Sequence, residues 1–244
     1  MSTDDSLAER EAEIVRLMGE DKALRGLTQQ WFNESCRYRY SYHFTWLGRP
    51  IIQYPQDIVA IQEIIWRTRP EVVIETGVAH GGSLMLSASI LELLGGDRIA
   101  VGIDIEIRAH NRAAIETHPL AKRIHLIEGS STSGAVVAQA GSLARGKRTL
   151  VILDSHHTHE HVLKELELYS PLVKNGSYVV VFDTVIETMP EGAFPDRPWC
   201  RGNNPRTAVW EFLKRNDRFE VDRALEDKFL ITVAPGGYLK CIKD

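Results

Sequence analysis

The 244-residue chain is expected to fold as an α/β protein on a mostly parallel sheet, and three observations carry that expectation. Short apolar, β-branched runs recur as EVVIET (71–76), RIAVGID (98–104), RIHLIEG (123–129), RTLVILD (148–154) and SYVVVFD (177–183). Runs this short and this apolar suit strands buried on both faces. Helix-length segments such as GSLMLSASILELL and HVLKELELYSPLV separate them, and strands alternating with helices imply right-handed βαβ units. The alternation breaks only at the end, where FLITVA and YLKCI are joined by Pro235-Gly236-Gly237, a hairpin signal.

In chain order, residues 5–25 place Leu7, Ile14, Leu17, Met18 and Leu24 among charges, which predicts an amphipathic surface helix. Residues 31–46 crowd Trp31, Phe32, Tyr38, Tyr40, Tyr42, Phe44 and Trp46 together, to pack on the main domain or a subunit partner, or to wall a small-molecule pocket. The reading is an N-terminal extension over 1–54, expected to mediate self-association as a homo-oligomer, followed by a catalytic domain over 55–244. PQDIVAIQEIIWRTRP reads as a helix stopping before Pro70, and NPRTAVWEFLKRN (204–216) as another with Pro205 at an early position.

Apolar and charged fractions of 43% and 25% are ordinary, and the length suits one large domain better than two. A net charge of −4 gives no basic footprint for nucleic acid or an anionic membrane. Cys36, Cys200 and Cys241 lack C-x-x-C spacing, the first residues are charged, and no membrane-span-length apolar stretch occurs. A cytoplasmic protein is expected.

The first strand runs into Glu75-Thr76-Gly77-Val78-Ala79-His80-Gly81-Gly82-Ser83 and then a helix. Glycines permit a tight turn and close ligand approach, and the helix N-terminus offers unpaired N–H groups. Nucleotide and flavin binders share such a turn. Asp104 ends the second strand near the spacing at which an acid reaches a ribose hydroxyl. The third strand ends in Gly129-Ser130-Ser131, a small polar turn suited to an adenine edge.

The fourth strand delivers Asp154-Ser155-His156-His157, and the fifth delivers Asp183. Ligands of such sheets sit outside the carboxyl ends of the strands, so these side chains are candidates for a general base and for carboxylates holding Mg²⁺. His159 and His161 are expected to be packed or solvated, a zinc site from the four histidines is a minor reading, and His156 stays open between roles. Residues 185–204, rich in Pro, Gly and charge, read as a loop over the site carrying Arg197, Trp199 and Arg201.

Five alternating strands closed by an antiparallel pair is the class I methyltransferase order, the Rossmann-like seven-stranded sheet with a C-terminal antiparallel hairpin. From about Pro55 to the C-terminus the chain resembles the cephalosporin hydroxylase and rhamnosyl O-methyltransferase family, related to macrolide-sugar O-methyltransferases. The likeness rests on PQDIVAIQEIIWRTRPEVVIETGVAHGGS, VGIDI, the LDSHH turn and GNNPRTAVWEFL. It implies an S-adenosylmethionine-dependent, Mg²⁺-assisted methylation of a hydroxyl on a sugar-containing small molecule. It implies that Glu75, Gly77 and Gly81 form the donor loop, beside which Ser83 is a further candidate donor contact, that Asp104 is the ribose acid, and that His157 rather than His156 is the base beside the metal-binding Asp154. The family's fifth strand ends in a Glu-Asp pair, whereas this chain has Phe182-Asp183, a gap for water or another acid such as Glu187. Three other readings stand at this level: an iron-dependent hydroxylase, a nicotinamide oxidoreductase and a non-catalytic accessory subunit.

Overall fold

The computed structural model describes residues 3–244. Helices α1 (Thr3–Glu20) and α2 (Lys22–Cys36) lead into a two-stranded antiparallel sheet, β1 (Phe44–Trp46) and β2 (Arg49–Ile51). Then follow α3 (Pro55–Thr68), β3 (Val72–Thr76), α4 (Gly82–Leu94), β4 (Ile99–Asp104), α5 (Ala109–Glu116), β5 (Ile124–Glu128), α6 (Gly134–Ala144), β6 (Thr149–Leu153), α7 (His159–Tyr169) and β7 (Tyr178–Val181). The chain closes with α8 (Pro205–Arg215), β8 (Phe219–Val221), α9 (Arg223–Phe229) and β9 (Tyr238–Cys241).

The large sheet has the order β5-β4-β3-β6-β7-β9-β8. Strands β3 to β7 are parallel, and β9 runs antiparallel to both β7 and β8. This is the mostly parallel seven-stranded sheet with antiparallel C-terminal strands that the sequence predicts. Every residue of β3, β6 and β7 is buried, which is why their sequences are unbroken apolar runs. Alternate side chains face opposite layers: Val73 joins the core beneath α3 and α4, while Val72 and Ile74 join the one beneath α6, α7 and α8.

Two expectations about elements need correction. The single helix over 5–25 is two, broken at Asp21, whose carboxylate accepts from the amides of Ala23 (2.9 Å) and Leu24 (3.0 Å) as the N-cap of α2. The FLITVA segment is not a hairpin strand; β9's antiparallel partners are β7 and β8, and α9 intervenes. The apolar character of 229–234 reflects burial rather than a ladder, since Val233 is 8% and Ala234 0% exposed. Its backbone groups are taken elsewhere: Val233 N donates to Asp57 (3.0 Å), and Val233 O accepts from Val185 N (3.1 Å). Pro235-Gly236-Gly237 instead turns the chain into β9, with Val181 N donating to Gly237 O.

The aromatic segment packs on the domain and also borders a cavity of about 820 Å³. Tyr54 stacks on Phe32 at 4.8 Å, and Tyr40 packs between Trp31, Phe44 and Tyr54 at 5.0–5.4 Å. The Arg25–Asp227 ion pair ties α2 to α9.

Candidate active site

A cavity of about 820 Å³ opens at the carboxyl ends of β3, β4, β6 and β7, between the turns that follow them and the aromatic N-terminal segment. Its size is that of a small-molecule site. The first wall is the turn after β3. Gly77 has φ +92°, and a Cβ there would lie 2.0 Å from the Asp154 carbonyl oxygen, so no other residue fits where the ends of β3 and β6 converge. Gly81, at φ +84°, is the N-cap of α4.

The turn is fixed by partners from distant segments. Asp104 accepts from the amides of Val78 (2.8 Å) and Ala79 (3.2 Å). Arg49 donates to His80 O (2.6 and 3.0 Å) and to Asn111 (2.9 Å), and Asn111 donates to Ala79 O (2.9 Å). Sequence reasoning missed Arg49 and Asn111, because they belong to no local motif and act across 31 or more positions.

Of the donor-site candidates, Gly77, Ser83 and Asp104 line the cavity, with Gly81 at the foot of α4. Glu75 lies beneath them at 1% exposure, accepting from the Ser83 hydroxyl through one oxygen while the other is buried without a partner. Burial pushes its carboxyl up to about 8, against the opposing effect of the Ser83 hydrogen bond. Gly129, Ser130 and Ser131 are not brought to the cavity wall. Gly129 N donates to Asp104 O (2.8 Å), whereas Ser131 is buried against His161 (3.2 Å) with its carbonyl accepting from Tyr169.

The raised Glu75 carboxyl has a stability consequence in the ligand-free protein. An acid whose folded pKa exceeds its unfolded value binds more protons when folded, so stability falls as pH rises from about 4.5 to about 8. Glu75→Gln removes that penalty. Urea unfolding should show the variant gaining stability relative to the parent between pH 5 and pH 8.5, by on the order of 3 kcal/mol. An unchanged difference at the two pH values would contradict the buried-acid assignment.

At the second wall, Asp154, His157 and Asp183 each offer a ligand atom within 4.8 Å of the others, the only such group among the described residues. His157 Nε2 lies 3.1 Å from Asp183 Oδ2. Asp183 follows β7 in the left-handed region, φ +57°, which turns the chain sharply into a short 3₁₀ segment. The Asp154 carboxyl is held well above the usual carboxylate range, first by burial and then by repulsion from Asp183. Uncompensated negative charge among oxygen donors fits a hard divalent cation.

The neighbouring histidines separate. His159 bonds Thr207 (2.8 Å) and pairs with Glu211 (3.2 Å), and His161 sits among Ser131, Ser155 and the buried Glu165, so no four-histidine metal site forms. His156 is mostly exposed, and partial desolvation, then the nearby His161 and His157, lower its pKa. The ring of Trp199 meets His157 edge-on at 4.8 Å and His156 at 5.6 Å. Residues 189–199 thus lie along the cavity, with Arg197 over the Trp199 ring at 5.2 Å. Arg201 is exposed and outside the lining.

The family model described as Rhamnosyl O-methyltransferase/CmcI matches residues 38–242. A rhamnosyl O-methyltransferase of Mycobacterium leprae is 31% identical over 199 residues, covering 80% of this chain and 82% of that protein. One of Mycobacterium bovis is 32% identical over 203 residues, covering 80% and 77%. Among solved structures, one of CmcI with Mg and SAM aligns at a TM-score of 0.57 and 19% identity, covering 82% of this chain and 77% of that one; it supports the fold. With the family model spanning most of the chain and relatives above 30% identity, the chain belongs to the rhamnosyl O-methyltransferase/CmcI family.

Proposed function

We propose that the protein is an S-adenosylmethionine-dependent O-methyltransferase acting on a hydroxyl of a sugar-containing small molecule. The observation that carries this reading is one cavity with a glycine turn and Asp104 on one wall and the Asp154–His157–Asp183 group on the other. The relatives' name, rhamnosyl O-methyltransferase, supports the sugar.

In this reading Gly77, Gly81 and Ser83 cradle the donor, Asp104 takes the ribose hydroxyls, and Glu75, with its unpartnered oxygen, accepts from the donor's amino-acid end. The turn Gly129-Ser130-Ser131 stands behind Asp104, to whose carbonyl Gly129 N donates, rather than against the donor. The acceptor oxygen attacks the methyl carbon in line, the carbon–sulfur bond breaks, and His157 receives the hydroxyl proton as neutral S-adenosylhomocysteine is released. Asp154 and Asp183 would hold Mg²⁺, which supplies charge stabilisation for the developing alkoxide. Trp199 offers an aromatic face beside the base for a sugar ring.

No described helix is long and apolar enough to cross a membrane. The cytoplasm and a homo-oligomeric state complete the proposal.

Transfer of labelled methyl from S-adenosylmethionine to a panel of rhamnosides and nucleotide-linked sugars tests it. Methylation of a sugar hydroxyl is expected; donor binding with no transfer to any sugar would favour an accessory role. Asp104→Ala should weaken S-adenosylhomocysteine binding about tenfold or more, because it removes both a ribose acceptor and the anchor of two loop amides. Unchanged affinity by calorimetry would remove Asp104 from the donor site.

A further inference from the structure

The carboxylate pair is short of protein oxygens on the β7 side. Phe182 is 3% exposed and part of the core, so it offers nothing to the cavity. Glu187 does not fill the gap, because its Oε2 accepts from Gly202 N (2.9 Å) and Asn204 Nδ2 (2.6 Å), bracing the loop before α8.

Gln53 stands beside the pair instead. It belongs to the short link between β2 and α3, lines the cavity and is 5% exposed. Its Nε2 donates to Asp154 Oδ2 at 3.2 Å, while its Oε1 is buried with no protein partner. A buried acceptor without a hydrogen bond is costly, so keeping one here calls for a partner the chain does not supply. Its backbone is anchored on both sides, by Ile51 at 1% exposure and by Tyr54 stacked on Phe32 at 4.8 Å. The amide is therefore held at Asp154. Hard cations accept amide carbonyl oxygens together with carboxylates, and the two carboxylates, each offering an oxygen within 4.8 Å of the other, favour a cation over a neutral hydroxyl as that partner.

We propose that the Gln53 amide oxygen is a protein ligand of the divalent cation held by Asp154 and Asp183, taking the part that a second fifth-strand carboxylate would otherwise play. The inference rests on the cation reading given under Proposed function. It makes the N-terminal extension a contributor to the site.

The test is Mn²⁺ titration of the full chain, with free Mn²⁺ followed by electron paramagnetic resonance and Asp154→Ala as control. Gln53→Leu should weaken Mn²⁺ binding roughly tenfold or more, Gln53→Glu should hold or tighten it, and both should bind S-adenosylhomocysteine without metal as the parent does. Equal Mn²⁺ affinity in parent and Gln53→Leu would overturn the ligand role alone, and a raised acceptor KM with that equal affinity would make Gln53 a substrate contact instead. If Gln53→Leu loses S-adenosylhomocysteine binding, Gln53→Glu decides, with weakened Mn²⁺ binding counting against the proposal. No Mn²⁺ binding by the parent would overturn the cation reading itself, and the proposal with it, while leaving the donor site to its own titration.

Discussion

Replacing His157 with alanine should slow methyl transfer by on the order of 10²–10⁴-fold while leaving S-adenosylhomocysteine affinity within about twofold. His157 is the one histidine of its turn that reaches the carboxylates, 3.1 Å from Asp183, and its side chain is only 14% exposed under the edge of Trp199. It makes no hydrogen bond to the glycine turn on the opposite wall, so under the proposed function its loss removes proton transfer and not donor contacts. His156→Ala is the matched control, because His156 is exposed and outside the group. Single-turnover rates separate the two variants. Parent-like transfer by His157→Ala would show that the base lies elsewhere.

The second large effect is structural and falls where the glycine turn meets the backbone of Asp154. Gly77→Ala places a methyl group 2.0 Å from the Asp154 carbonyl oxygen at a backbone φ of +92°. The left-handed conformation alone costs an alanine about 1–2 kcal/mol, and the collision adds to it, since β3 and β6 are hydrogen-bonded neighbours up to Thr76 and Leu153. Thermal or urea unfolding should show a loss above roughly 3 kcal/mol together with weakened donor binding. Gly95→Ala separates strain from collision, because φ there is +71° but nothing lies within 4 Å of the added Cβ. It should cost only the strain of its backbone, φ +71° and ψ −171°, about 1–3 kcal/mol. Equal losses at the two positions would contradict the close-approach role of Gly77.

Much of the fold was legible because burial on both faces writes a strand as an unbroken apolar run. Val72–Thr76, Thr149–Leu153 and Tyr178–Val181 are such strands, and each carries its site residues at the following turn. The same rule misread residues 229–234, where apolar side chains mark a buried connection whose amide goes to Asp57. Periodicity also ran through Asp21, since a cap interrupts the backbone without interrupting the apolar pattern. At the site, Asp154, His157 and Asp183 were visible as polar residues at strand ends. Gln53, Arg49 and Asn111 were not, because their roles arise only when segments 31 to 101 positions apart meet. The missing second acid was legible at Phe182, whereas the bracing role of Glu187 was not, since it depends on where Gly202 and Asn204 fold back.

The central claim is that the glycine turn, Glu75 and Asp104 form a donor site for S-adenosylmethionine facing the carboxylate group. Isothermal titration of the full chain with S-adenosylhomocysteine, with and without Mg²⁺, tests it most directly. Saturable binding at one site per chain, lost or sharply weakened in Asp104→Ala, is the expected result, and an effect of Mg²⁺ would register the cation beside the donor. Absence of binding under both conditions would contradict the donor site and, with it, the methyl-transfer reading of the cavity.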